Sequence, residues 1–95
     1  MKVVWTLPAL ADVDQIQDFV AAESPAAAYR LVNDIIDRTE VLLAKMPMAG
    51  RVGRVTGTRE LVLPPSRYIV AYRVAERVEI LAVVNAAREW PEDFG

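Results

Sequence analysis

The chain contains no cysteine and no histidine. The first absence removes disulfides, thiolate metal sites and thiol nucleophiles together. The second removes the imidazole base and the commonest zinc ligand. Catalysis here would rest on carboxylate, phenol, ammonium or guanidinium groups alone. Aromatic residues are few, at 7%. No apolar run approaches the ~18 residues that cross a bilayer. Lys2 is followed by Pro8 and Asp12, which does not read as a secretory leader. These absences predict a cytoplasmic protein with no membrane contact, no metal and no cofactor. Glycine is scarce too, and three of its four residues crowd together at 50, 53 and 57.

The 95 residues are 54% hydrophobic and 25% charged, which excludes an intrinsically disordered chain. They predict one domain, residues 1–95. A chain of this mass buries roughly 64% of its unfolded surface, enough for a modest core without staples. The net charge of −2 argues against direct binding to DNA. Its distribution is uneven. Residues 1–45 carry Lys2, Arg30, Arg38 and Lys45 against Asp12, Asp14, Asp18, Glu23, Asp34, Asp37 and Glu40. Residues 51–73 carry Arg51, Arg54, Arg59, Arg67 and Arg73 against Glu60 alone. Every cation in that stretch is arginine, the side chain suited to bidentate phosphate or carboxylate recognition.

Val3-Val4-Trp5 reads as a short strand. Thr6 and Pro8 mark a helix start. Leu10, Val13, Ile16 and Val20 then recur at helical spacing, with Asp12, Asp14 and Asp18 on the other side and favoured by the helix dipole. Ser24-Pro25 caps and opens a second helix running to about Met46, where Pro47 ends it. Its predicted apolar face is Tyr29, Val32, Ile35, Ile36, Leu42, Leu43 and Met46. Asp34 and Arg38 sit at the helpful i,i+4 spacing. The short connection predicts an antiparallel helix hairpin. Strands follow at Thr58–Leu63, Tyr68–Val74 and Val78–Val84, separated by Pro64-Pro65-Ser66 and Ala75-Glu76-Arg77. The fold class is therefore α+β in two layers: a strand, a helix hairpin and a three-stranded antiparallel meander. One sheet face covers the helices. The other is expected to be partly open, with arginines on it.

The segment from Pro47 to Glu60, PMAGRVGRVTGTRE, brings Arg51, Arg54 and Arg59 together around tight glycine turns. Two readings are open: an anion site for phosphate or a partner's carboxylates, and a flexible loop with solubilising charge. Arg88 follows the last strand beside Glu89-Trp90-Pro91. Tyr68 and Tyr72 share one strand face. Either is a core residue, or a phenol whose pKa nearby arginines would have to lower before it moved a proton. Trp5 and Trp90 read as packing anchors. The aspartates of the first helix fan out over too wide an arc to hold a metal.

Several segments, in this order, resemble the RelE/ParE toxins over about residues 2–91. They are Ser24-Pro25-Ala26-Ala27, Pro47–Gly53, Thr58–Leu61, Tyr68–Val74, Ile80–Val83 and Arg88–Pro91. The resemblance implies a small α+β toxin of a type II toxin–antitoxin module, growth-inhibiting and of the plasmid-stabilisation kind. It implies a hetero-oligomer with an acidic ParD-like antitoxin. The family's ribonuclease members cleave ribosome-bound messenger RNA with clustered Arg and Lys plus a Tyr. Arg59 and Arg88 lie where those members carry basic residues. Leu61 and Ile69 stand where Lys and Arg would be expected, and Phe94 lies about where the tail Tyr falls. Three of the expected groups are absent, and transition-state stabilisation fails without them. The resemblance therefore implies the ParE-like branch, whose target is DNA gyrase, with the RelE-like ribonuclease as the alternative. It implies no catalytic residue. Arg51, Arg54, Arg59, Arg73, Arg88, Tyr68 and Trp90 are the candidates for binding antitoxin or target.

Overall fold

The computed structural model describes residues 1–94. The elements are β1 (Val3–Trp5), α1 (Leu7–Ala21), α2 (Pro25–Lys45), β2 (Arg51–Val52), β3 (Arg59–Val62), β4 (Tyr68–Val74) and β5 (Val78–Asn85). They form one mixed sheet in the order β1-β5-β4-β3-β2. The three predicted strands of the meander are present, and the helix hairpin covers one face. A two-residue strand, β2, adds to them from the stretch read as loop, pairing Arg51 with Glu60 and Val52 with Arg59.

Local chemistry sets the helix starts. Thr6 accepts a hydrogen bond from the Ala9 N–H at 3.4 Å, and its hydroxyl donates to the Ile80 carbonyl at 2.7 Å. Ser24 accepts from the Ala27 N–H at 3.1 Å, with Pro25 opening the helix. Arg38 pairs with Asp34 at 3.1 Å on the exposed side. The dipole argument for α1 does not hold, because its first turn contains no acidic residue. Asp12 lies in the second turn, and its carboxylate instead accepts the Val83 N–H at 2.9 Å.

The core lies between the helices and the inner sheet face. Ala9, Val13 and Ile16 of α1 and Val32, Ile35 and Leu43 of α2 meet Leu61, Val70, Tyr72, Val78, Ile80 and Val83. The predicted α2 face is corrected at two positions. Tyr29 and Met46 are exposed, while Ile36 and Leu42 are half-buried and pack against the core from its flank. The buried stripe runs through Ala28, Val32, Ile35, Thr39 and Leu43 instead. Small residues at 28 and 39 let the helix lie close to its neighbours, which turns Tyr29 outward.

Strand β5 is apolar on both faces because it is irregular. Ala71 pairs with Ala82 but Tyr72 pairs with Ile80, so Leu81 is an extra residue. Ile80 and Val83 thereby both reach the core, while Leu81 drops out of it. Below the irregularity β5 pairs in parallel with β1, Val3 against Val78 through Trp5 against Ile80.

Candidate functional site

The arginine-rich segment is tied down by specific hydrogen bonds, and its centre is not open to an external anion. Tyr72 is fully buried; its hydroxyl donates to the Pro47 carbonyl at 2.7 Å and accepts the Gly50 N–H at 2.8 Å. Burial raises the Tyr72 phenol above its ordinary value of 10.0, although the Gly50 N–H and the Arg59 charge pull the other way. Arg59 donates to the Gly50 carbonyl at 2.8 Å. Gly50 must be glycine, since a Cβ there would meet the Tyr72 hydroxyl at 2.6 Å. Gly57 turns the chain at φ +78°, in the left-handed region.

The anion at the centre of the cluster is Glu60. Its side chain is 2% exposed and is gripped from two sides. Arg51 donates through Nε and Nη2 to Oε1 at 3.1 and 2.9 Å. Arg54 donates its backbone N–H and Nε to Oε2 at 2.8 and 3.1 Å, and Nη2 to Oε1 at 3.2 Å. Burial works to raise the Glu60 pKa, but the Arg54 and Arg51 donors outweigh it and hold the carboxyl below its ordinary 4.5.

The outer sheet face is correspondingly more covered than the sequence suggested. Glu60, Ala71 and Ala82 lie in one row across it, and all three are buried. The C-terminal segment crosses this face. Trp90 stacks against the Arg54 guanidinium at 3.9 Å and meets Phe94 edge-on at 6.2 Å. Between Ala82 and Val84 on the sheet and Pro91 and Phe94 on the tail lies a cavity of about 420 Å³. Trp90 is thus an anchor, as read from the sequence. Trp5 is half-buried against the core and donates to Glu40 at 3.0 Å.

Arg73, Tyr68 and Arg88 make no contact with Glu60, although Arg88 also lines the cavity under the tail. Arg73 is paired with Glu79 at 2.7 Å. Tyr68 and Arg88 line a second cavity of about 460 Å³, between α1 and the far end of β5. Among the described residues Arg88 has no carboxylate within ion-pair reach. The α1 wall of this cavity is Asp12, Gln15, Ile16 and Phe19, and Phe19 is 77% exposed. Asp12 and Phe19 were not singled out as site residues from the sequence. Both lie on one flank of α1, and only the position of that flank against β5 marks them. Asp12, Asp14 and Asp18 do not converge; among the described residues no group of three or more acidic side chains is placed to hold a metal.

Residues 3–90 match the family model of the ParE toxin of type II toxin–antitoxin systems, parDE. The chain belongs to the ParE toxin family. It is 42% identical over 91 residues to Y4kP of Sinorhizobium fredii, a protein named as a candidate toxin, covering 96% of this chain and 94% of that one. It is 38% identical over 88 residues to toxin RelE2 of Caulobacter vibrioides, covering 92% and 97%. A solved chain of the chromosomal ParDE TA system from P. aeruginosa superposes with a TM-score of 0.81 at 31% identity. That likeness spans 90% of this chain and 95% of the other.

Within this ParE fold, the positions weighed for ribonuclease chemistry have clear surroundings. Leu61 is 6% exposed inside the core, and Ile69 is 3% exposed on the outer sheet face. Phe94 is half-buried against Trp90. Among the described residues no helix is long and apolar enough to cross a membrane.

Proposed function

We propose that this chain inhibits growth as a ParE-type toxin that poisons DNA gyrase in the cytoplasm. An acidic ParD-like antitoxin neutralises it in a hetero-oligomer. The observation that carries this reading is the state of the arginine cluster. Arg51 and Arg54 are both engaged by the one buried Glu60 carboxylate, the adjoining Tyr72 phenol is sealed in the core, and Leu61 and Ile69 bring no further cation. An RNA phosphate would find no converging set of free cations and no accessible phenol there, which favours binding over ribonuclease chemistry. Arg88 is the candidate best placed for an antitoxin carboxylate, whereas Arg59 and Arg73 are already engaged within the fold.

Inducible expression in bacteria tests the target. Cells should filament and accumulate double-strand breaks while translated messages stay intact. Rapid, codon-biased cleavage of those messages would establish the ribonuclease alternative instead. The partner is tested by co-expression with the product of the adjacent gene. It should restore growth and co-purify, and Arg88→Glu should weaken the complex by about ten-fold or more.

A further inference from the structure

The edge of β5 that faces away from β4 is occupied along only half its length. Val78 donates to the Lys2 carbonyl at 2.8 Å, and Thr6 donates to the Ile80 carbonyl at 3.1 Å. There β1 ends and the chain turns into α1. The ladder alternation sends the Val83 N–H and C=O and the Asn85 N–H the same way, toward a side where no strand lies. One of these groups has a stand-in. The Asp12 carboxylate accepts the Val83 N–H at 2.9 Å, where the carbonyl of a neighbouring strand would sit. The cavity of about 460 Å³ opens directly onto this stretch.

We propose that an extended segment of the antitoxin adds a strand along Val83–Asn85 and takes the Val83 N–H from Asp12. This rests on the reading that the chain pairs with an antitoxin. An apolar helix laid in the same groove would bury the Val83 carbonyl and the Asn85 N–H without partners, whereas an extended chain supplies the matching groups. The three residues of open edge span about 10 Å at ~3.3 Å per residue. Ile16, Phe19 and Tyr68 line the groove above them and receive an apolar side chain of that segment. Arg88, at the same groove, takes a carboxylate, which is the charge an acidic antitoxin brings. Asp12 therefore serves as a placeholder that keeps the edge satisfied until the partner arrives.

Amide hydrogen exchange on the free chain and on its complex with the adjacent gene's product tests this. In the free chain the Asn85 amide should exchange fast and the Val83 amide slowly. In the complex both should be slow. Asp12→Ala should make the Val83 amide fast in the free chain and slow again in the complex. Phe19→Asp, at an exposed position, should leave the melting temperature unchanged and weaken the complex by about ten-fold or more. A complex in which the Asn85 amide stays fast overturns the added strand while the antitoxin reading survives. Slowing of Asn85 with rising concentration of the free chain overturns it in favour of a second copy. Failure to form any complex overturns both readings.

Discussion

The two faces of the sheet are built on opposite principles. The inner face is apolar and is covered by two helices that pack through Ala9, Val13, Ile16, Val32, Ile35 and Leu43. The outer face is crossed by a loop and a tail without regular structure. At its centre is a charge, Glu60, held by two arginines that are themselves about half exposed. The inner face draws its stability from area removed from water and tolerates imprecise geometry. The outer face depends on specific donors meeting one carboxylate, so it is sensitive to pH and to single polar substitutions. A small toxin can thus keep a constant scaffold on one side and a conditional surface on the other.

The largest effect should come from the inner face. Leu43→Ala removes a fully buried side chain and should cost about 2–5 kcal/mol in urea unfolding, out of about 5–10 kcal/mol in all. Leu42→Ala, at the half-buried flank, should cost clearly less; equal losses would show that the stripe is misplaced. Next comes Glu60→Ala, which strands the Arg54 N–H and two guanidinium groups and should cost about 1.5–3 kcal/mol. Its sign with pH separates the faces. The folded carboxyl lies below the ordinary 4.5, so its contribution is complete above that pH and is lost as pH falls through the folded value. The gap between wild type and Glu60→Gln should close on acidification, while the cost of Leu43→Ala should stay level.

Smaller still is Thr39→Val. The Thr39 hydroxyl is buried with no hydrogen-bond partner among the described residues. The isosteric change should stabilise by about 1 kcal/mol, raising the melting temperature by roughly 4–8 °C. The smallest effect is Arg54→Lys, which keeps the charge and the backbone N–H to Glu60 but loses the two-pronged guanidinium grip on that carboxylate and the planar stack on Trp90. It should cost about 0.5–1 kcal/mol and shift Trp90 fluorescence toward that of a hydrated indole, read in a Trp5→Phe background.

The inner face was legible because its code is periodic. The Ser24-Pro25 start, the helical spacing of 32, 35 and 43, and the alternation of Val70 and Tyr72 all point to one side. Tyr29 and Met46 were misassigned because a hydrophobic residue beside the stripe carries the same letter pattern as one within it. The outer face was less legible, since it has no period. β2 is too short to alternate. Glu60 reads as one anion outnumbered by arginines until strand pairing sets Arg51 opposite it. The need for glycine at 50 comes from Tyr72, 22 residues away. The groove beside α1 depends on where β1 stops along β5, which no local signal encodes. The one hint of irregularity there was the unbroken apolar run from Ile80 to Val84.

The pairing of β1 with β5 has a consequence for synthesis. Val3 is translated well ahead of Val78, its neighbour in the sheet. The helix hairpin can form as it emerges, but the strand ahead of it has no sheet neighbour until β5 has been made. Closing that contact across some seventy residues is the most non-local step of folding and should set its rate. Until the strands that follow have been made, the apolar side of the hairpin stays uncovered. The nascent polypeptide is thus an incomplete sheet until its final strand arrives, and any chain cut short before residue 78 is left without the partner of its own first strand.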